Sequence, residues 1–370
     1  MKAITILILA LTVNGMEVSP CHAQKAEVIT DRVLELSNSN EVTAITGDSD
    51  GSLWISTAVF SLTVKPKFFL PHVTRLTSRG LIAEEFEIKA PADDEVREAG
   101  FSVVALAVDK AKVTAILSYA GHDLWWVSID RKTGIQKTHK IFTAQNDAIS
   151  GLRGFFLTPD TVVVYGITSL KPIAMSLKDD GRIMWSLHVD SRHGLFVDAL
   201  PLTNSKFVFL ERDIDLVAKT VGSTVVVAGA DGKIMAQRQL PGTATAVYLA
   251  GLDEVVMSAQ DKELMRIVRC SWSSSECNEA KVSIPMTNSQ IIALGASGSS
   301  VIGYQQRTLV YVQVSKDGDI IKRVPLQSDQ SLLLDVQAKV IGSMVYLVGK
   351  QYVREADGVA EKVRFISFVQ

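Results

Sequence analysis

Apolar positions along this chain recur with a period of two. "VTAITG" (Val42–Gly47), "VVALAV" (Val103–Val108), "FVFLE" (Phe207–Glu211) and "LVYVQVS" (Leu309–Ser315) alternate or run β-branched, as half-buried or sandwiched strands do. No segment after the N-terminus sustains a 3.6-residue apolar stripe over three turns, so the pattern predicts an all-β protein.

Turn chemistry divides the strands into units. "TSRG", "RKTG", "KDDG", "GADG" and "SKDG" end at Gly80, Gly134, Gly181, Gly232 and Gly318. Each follows an apolar strand and precedes one of polar alternation. Glycine there, preceded by Asp in three cases, supplies the positive φ of a tight hairpin. The glycines are spaced 54, 47, 51 and 86 residues apart, and "CSWSSSEC" (Cys270–Cys277) halves the last interval. A repeat of about 40–50 residues with four strands per unit is the signature of a propeller blade. The sequence therefore predicts a seven-bladed β-propeller of four-stranded antiparallel blades, ordered A to D from the centre outward. Strands A are expected to start near Glu41, Gly100, Ala148, Leu195, Ala244, Gln290 and Ser331. The seventh unit is one strand short. "KAEVITDRVLEL" (Lys25–Leu36) has the alternation of a strand D, so the N-terminal strand is expected to complete the last blade and remove a raw sheet edge.

"GDSDGSLWIST" (Gly47–Thr57) becomes the A-to-B turn of the first blade, with Trp54 on strand B between blades. "DGSLWIST" resembles the Asp-Gly-x-Leu-Trp-x-x-Thr pattern of the two-component-regulator propeller repeat. "SLKDDGRIMWSL" (Ser176–Leu187) is similar to the PQQ-like propeller repeat, in which an acidic, glycine-ended turn precedes a tryptophan strand. Each resemblance covers one blade and implies a fold without transferring a function.

Composition sets the compartment and excludes some partners. The 370 residues are 47% hydrophobic and 21% charged, with a formal net charge of -2. No basic run with interleaved aromatics points to nucleic acid. Residues 1–23 read as a signal peptide: Lys2 is followed by the apolar run Ala3–Val13, and "CHA" ends at Ala23. Eleven apolar residues are too few to span a bilayer, which takes about 20, and no later segment offers a membrane span. The mature chain, residues 24–370, is thus expected in the periplasm or secreted. In that setting Cys270 and Cys277 are expected to form a disulfide clipping two neighbouring strands.

Candidate chemistry is sparse. Asp48 and Asp50 suggest a calcium loop, but the twelfth position is Val59 rather than glutamate, so a structural Asx turn and no metal site are expected. There is no Gly-x-Ser-x-Gly, no helical histidine pair and no sign of a cofactor. In a propeller the B-to-C loops and D-to-A links share one face around the central channel. That face would carry "YAGHD" (Tyr119–Asp123), "DSRHG" (Asp190–Gly194), "ERDID" (Glu211–Asp215), "AQDKE" (Ala259–Glu263) and "QQRT" (Gln305–Thr308). Convergent charge at a channel mouth is a ligand-site signature. The candidate binding residues are His122, Asp123, Arg192, His193, Arg212 and Arg307, whose arginines suit a carboxylate or phosphate. Two further segments, Ala58–His72 (apolar) and Ala90–Gly100 (acidic), exceed the blade template. The expectation is an exported, non-catalytic scaffold that binds a protein or small ligand. The alternative is a propeller lyase or hydrolase with a histidine/arginine site at the same mouth.

Overall fold

The computed structural model describes residues 28–369 apart from 37–40, 59–69, 90–100, 120, 145–146, 170, 190–193, 203–205, 216–219, 241–242, 250–253, 262–263, 272–276, 296–297, 327–331 and 356–357. The segments Ala58–His72 and Ala90–Gly100 and the expected signal peptide at 1–23 thus lie wholly or mostly outside the described residues. The described chain is all-β: seven four-stranded antiparallel sheets, each built from strands consecutive in sequence except the last. Strands A run Glu41–Gly47, Phe101–Val108, Ser150–Thr158, Gly194–Leu202, Thr243–Leu249, Thr287–Gly295 and Leu333–Ile341. Among the described residues no helix is long and apolar enough to cross a membrane.

Each blade is covered by a neighbour on both faces, which explains the hydrophobic pattern. Strand B of blade 1, Leu53–Ala58, is buried at every position. Strand C of blade 3, Lys171–Lys178, is buried from Pro172 to Leu177. Strand D lies at the rim, so Ile183–His188 alternates between exposed and buried. The apolar interior is correspondingly a ring of seven clusters, one between each pair of adjacent blades. Tryptophan supplies much of the volume. Trp54 and Trp125 fill the interface of blades 1 and 2, Trp126 that of blades 2 and 3, and Trp185 that of blades 3 and 4.

The hairpin glycines have two reasons to be glycine. All five carry positive φ, from 68° at Gly80 to 95° at Gly318, where a Cβ would be strained. Most also press on the preceding blade: a Cβ on Gly318 would sit 2.7 Å from the carbonyl oxygen of Lys281.

The ring closes as the sequence predicts. Strand Val28–Leu34 pairs antiparallel with Gly358–Val369, becoming the outermost strand of blade 7. Asp31 there holds Arg364 through two bonds of 2.6 Å. One difference concerns length. Strand B of blade 7 continues to Glu355 and strand C begins at Gly358, because pairing persists through Tyr352–Glu361 and Arg354–Val359. This hairpin is the longest among the described strands and projects on the B-to-C side.

Cys270 and Cys277 form a disulfide between directly paired residues of strands C and D in blade 5. The enclosed loop is short, so its entropic contribution is modest. Replacing both cysteines by serine is expected to cost about 2 kcal/mol, read from urea denaturation. Reduction of the native protein should reproduce that loss.

A candidate ligand-binding site in the central channel

Strands A of blades 1, 2, 3, 4, 6 and 7 line a cavity of about 1140 Å³ on the propeller axis. Every strand A carries a one-residue bulge against strand B, the first lying between Val42 and Ala44, Val103 and Ala105, Ser150 and Arg153, Phe196 and Asp198, Ala244 and Ala246, Thr287 and Gln290, and Leu334 and Gln337; blades 3 and 6 add a second, between Phe156 and Thr158 and between Ile291 and Ala293. A bulge turns the strand and re-aims its side chains. Two bulges use left-handed backbone, at Gly151 (φ 60°) and at Asp335 (φ 50°).

In three blades the residue just past the bulge reaches around the ring to the next blade. Gln290 Nε2 donates to Val336 O at 3.0 Å, Gln337 Nε2 to Val42 O at 2.7 Å, and Arg153 Nη1 to Val197 O at 3.0 Å. These bonds satisfy carbonyls that the bulges have taken out of the sheet ladder, and they lace neighbouring blades together at the axis.

Charge around the channel is unevenly distributed. Glu41 and Asp335 line it from blades 1 and 7, while Arg153 and Arg212 line it from blades 3 and 4. Burial pushes the Glu41 carboxyl above the usual range; Lys350 opposes this, and Asp335 and Glu361 add to it. On the other side, burial lowers the pKa of Arg212, and the like charge of Arg153 lowers it further. Arg212 Nε is buried and has no hydrogen-bond partner among the described residues. Tyr165, on the same arc, is pushed up first by burial and then by Asp198.

The predicted site residues fall into distinct places. Arg212 lies in the channel wall. His122 is exposed on the B-to-C turn of blade 2, beside Gly121, which lines the channel. Asp123 accepts Thr143 Oγ1 at 2.7 Å and pairs with Lys140 Nζ at 3.0 Å, so it staples strands C and D of its own blade. Arg307 is exposed on a two-residue turn in which Gln306 (φ 48°) and Arg307 (φ 69°) are both left-handed. Arg192 and His193 lie outside the described residues. Among the described residues, no cluster of three or more His, Cys, Asp or Glu could hold a metal ion.

Asp48 and Asp50 have structural partners. Asp48 Oδ1 accepts Ser49 N at 2.6 Å and Asp50 Oδ1 accepts Ser52 N at 2.9 Å. Asp48 Oδ2 receives Arg131 Nη1 of blade 2 at 2.9 Å, and that guanidinium lies 5.1 Å from the centroid of the Trp54 ring. Arg131 and Arg75 both bind Glu84, and Arg75 also bonds Asp50.

Sequence reasoning missed Arg153, Glu41 and Asp335 as channel residues. The available signal was position: each sits near the start of a predicted strand A, and "SGLRG" places Arg153 between two glycines in an otherwise apolar stretch.

The two component regulator propeller family matches residues 36–58, which span strand A, the Asp-Gly turn and strand B of blade 1. No curated protein matches the chain. Among solved structures, the Dos1 propeller superposes over 91% of this chain and 94% of its own, with a TM-score of 0.54 at 9% identity. A puromycin-hydrolyzing peptidase from Mycobacterium tuberculosis superposes over 92% of this chain, with a TM-score of 0.55 at 14% identity. This chain spans 55% of that peptidase. Likeness at these identities shows fold alone. The chain is a seven-bladed β-propeller whose first blade matches the two component regulator propeller family over residues 36–58.

Proposed function

We propose that this protein is an exported, non-catalytic binding propeller, which takes a small ligand or a partner's segment at the end of the channel ringed by the B-to-C turns and D-to-A links. The observation that carries the reading is the axial cavity, whose polar and charged residues Glu41, Ser150, Arg153, Arg212 and Asp335 come from four blades. A concave site with a few convergent polar groups is the usual form of a ligand pocket. Export is supported by the apolar leader at Ala3–Val13 and by the disulfide, which persists in oxidising compartments. The hydrolase among the structural neighbours matches in fold, and its activity is not carried over.

The test is a hydrogen-exchange footprint of the protein with and without the extract of its native compartment. Protection is expected at 118–123 and 305–308, on the mouth face. Protection confined to the opposite face, at the hairpins of Gly80, Gly134 and Gly181, would overturn the assignment.

A further inference from the structure

We infer that the channel binds a small ligand through a single anionic group, a carboxylate or a phosphate, held between Arg153 and Arg212. The inference rests on the channel being the binding site, and it names the chemistry that the site selects.

The first observation is an unsatisfied donor. Arg212 extends from strand B of blade 4, and its buried Nε has no hydrogen-bond partner among the described residues while it lines the cavity. A buried cationic donor left without an acceptor is costly. Arg153 makes this worse, since two guanidiniums that sense each other's charge face the same space. An anionic oxygen group entering that space would satisfy the free donor and neutralise the repulsion together.

The second observation comes from comparing blades. The position just past the first bulge is Ala44, Ala105, Arg153, Asp198, Ala246, Gln290 and Gln337 in blades 1 to 7. Gln290 and Gln337 bond the next blade's bulge carbonyl with a neutral amide, at 3.0 and 2.7 Å. Arg153 forms the equivalent bond to Val197 O at 3.0 Å. The tie between blades therefore does not require a charge, yet blade 3 places one there. Its remaining N–H groups have the channel to serve.

The third observation limits the charge of the ligand. Asp198 stands at the same level in blade 4 with Oδ1 taken by Ala199 N at 2.9 Å, and Glu41 and Asp335 line the channel from blades 1 and 7. These carboxylates would repel a polyanion. The geometry suits one anionic head on the arginine side, with the rest of the ligand neutral or cationic toward Glu41 and Asp335.

Titration calorimetry with inorganic phosphate and, separately, with acetate tests this on the mature chain and on Arg153→Gln, Arg212→Gln and, as a control on the exposed hairpin of the opposite face, Arg79→Ala. Glutamine keeps a donor for the Val197 carbonyl, so Arg153→Gln should melt where the parent does. Arg212→Gln removes a charge without a bonded acceptor and should melt at the same temperature or higher. Each channel substitution is expected to weaken anion binding by at least about tenfold, the loss of one charge-assisted hydrogen bond, with Arg79→Ala unchanged. A preference for one anion identifies the head group. The inference is overturned if neither anion binds the parent, if binding survives both channel substitutions, or if Arg212→Gln unfolds the protein and so assigns that arginine to structure. Loss of the mouth footprint would refute the binding face itself, whereas an intact footprint without anion binding would refute only the arginine pair.

Discussion

A chain shortened to begin after Leu36 is expected to lose the folded ring. Six register pairs join Val28–Leu34 to the last strand. Without them, Gly358–Val369 becomes a bare edge beside Val363, Phe365, Ile366 and Phe368, all buried in the intact protein. An exposed apolar edge of that length templates association. The ion pair adds to the loss. The Arg364 side chain is 6% exposed and Asp31 holds it through two bonds. Removing one member of a buried pair costs about 3–5 kcal/mol, set against a total stability of about 5–15 kcal/mol for a typical domain. Asp31→Ala isolates that part of the effect and should lower the urea midpoint markedly while leaving a monomer. The truncated chain should elute as aggregate in gel filtration. A truncated chain that stayed monomeric and melted within a few degrees of the parent would refute closure by this strand.

Arg131→Met is expected to cost about 3–5 kcal/mol, the second large effect. Arg131 belongs to blade 2, but its partners Asp48 and Glu84 belong to blade 1. The Asp48 side chain is only 3% exposed, so methionine would leave a buried carboxylate without its counter-ion. The cation over the Trp54 ring would go as well. Part of the cost depends on pH. Burial pushes the Glu84 carboxyl up, but the bonds and charges of Arg131 and Arg75 outweigh it and hold the group below the usual glutamate range. A depressed folded-state pKa adds stability that is present above the unfolded pKa and lost as pH falls through the folded value. The parent should therefore lose stability on acidification below about pH 4.3, and the Arg131→Met chain should lose less of it. Urea denaturation at pH 7 and about pH 3 reads both effects. An equal difference between the two proteins at both pH values would show that Glu84 takes no part.

Much of the architecture was legible because it is local. Period-two alternation, five glycine hairpins and an Asp-Gly turn each report on a few consecutive residues, and every hairpin glycine carries the positive φ it was expected to have. The starts of all seven strands A fall within three residues of the predicted places. Even closure by the N-terminal strand could be seen, since a missing strand at one end matched a spare one at the other. The channel was much less legible. Arg212 stood out as part of a charged loop, whereas Arg153 was one polar letter in a strand. The bulge that aims it is marked only by Gly151, and nothing nearby in sequence names Val197 as its partner. Asp48 illustrates the same limit: its neighbours Gly47, Asp50 and Gly51 identify a turn, but its principal counter-ion is 83 residues away.

The linear chain determined the strand order, the blade count, the hairpins and the strand that closes the ring. These follow from backbone periodicity and turn chemistry, which act over a handful of residues. The tertiary structure alone decided which charges meet: Arg153 with Arg212, Glu41 with Asp335, Asp48 with Arg131 and Asp31 with Arg364. Each pair joins separate blades or opposite ends of the chain. Electrostatic contact depends on distance in space, and the circular stacking of the blades sets that distance.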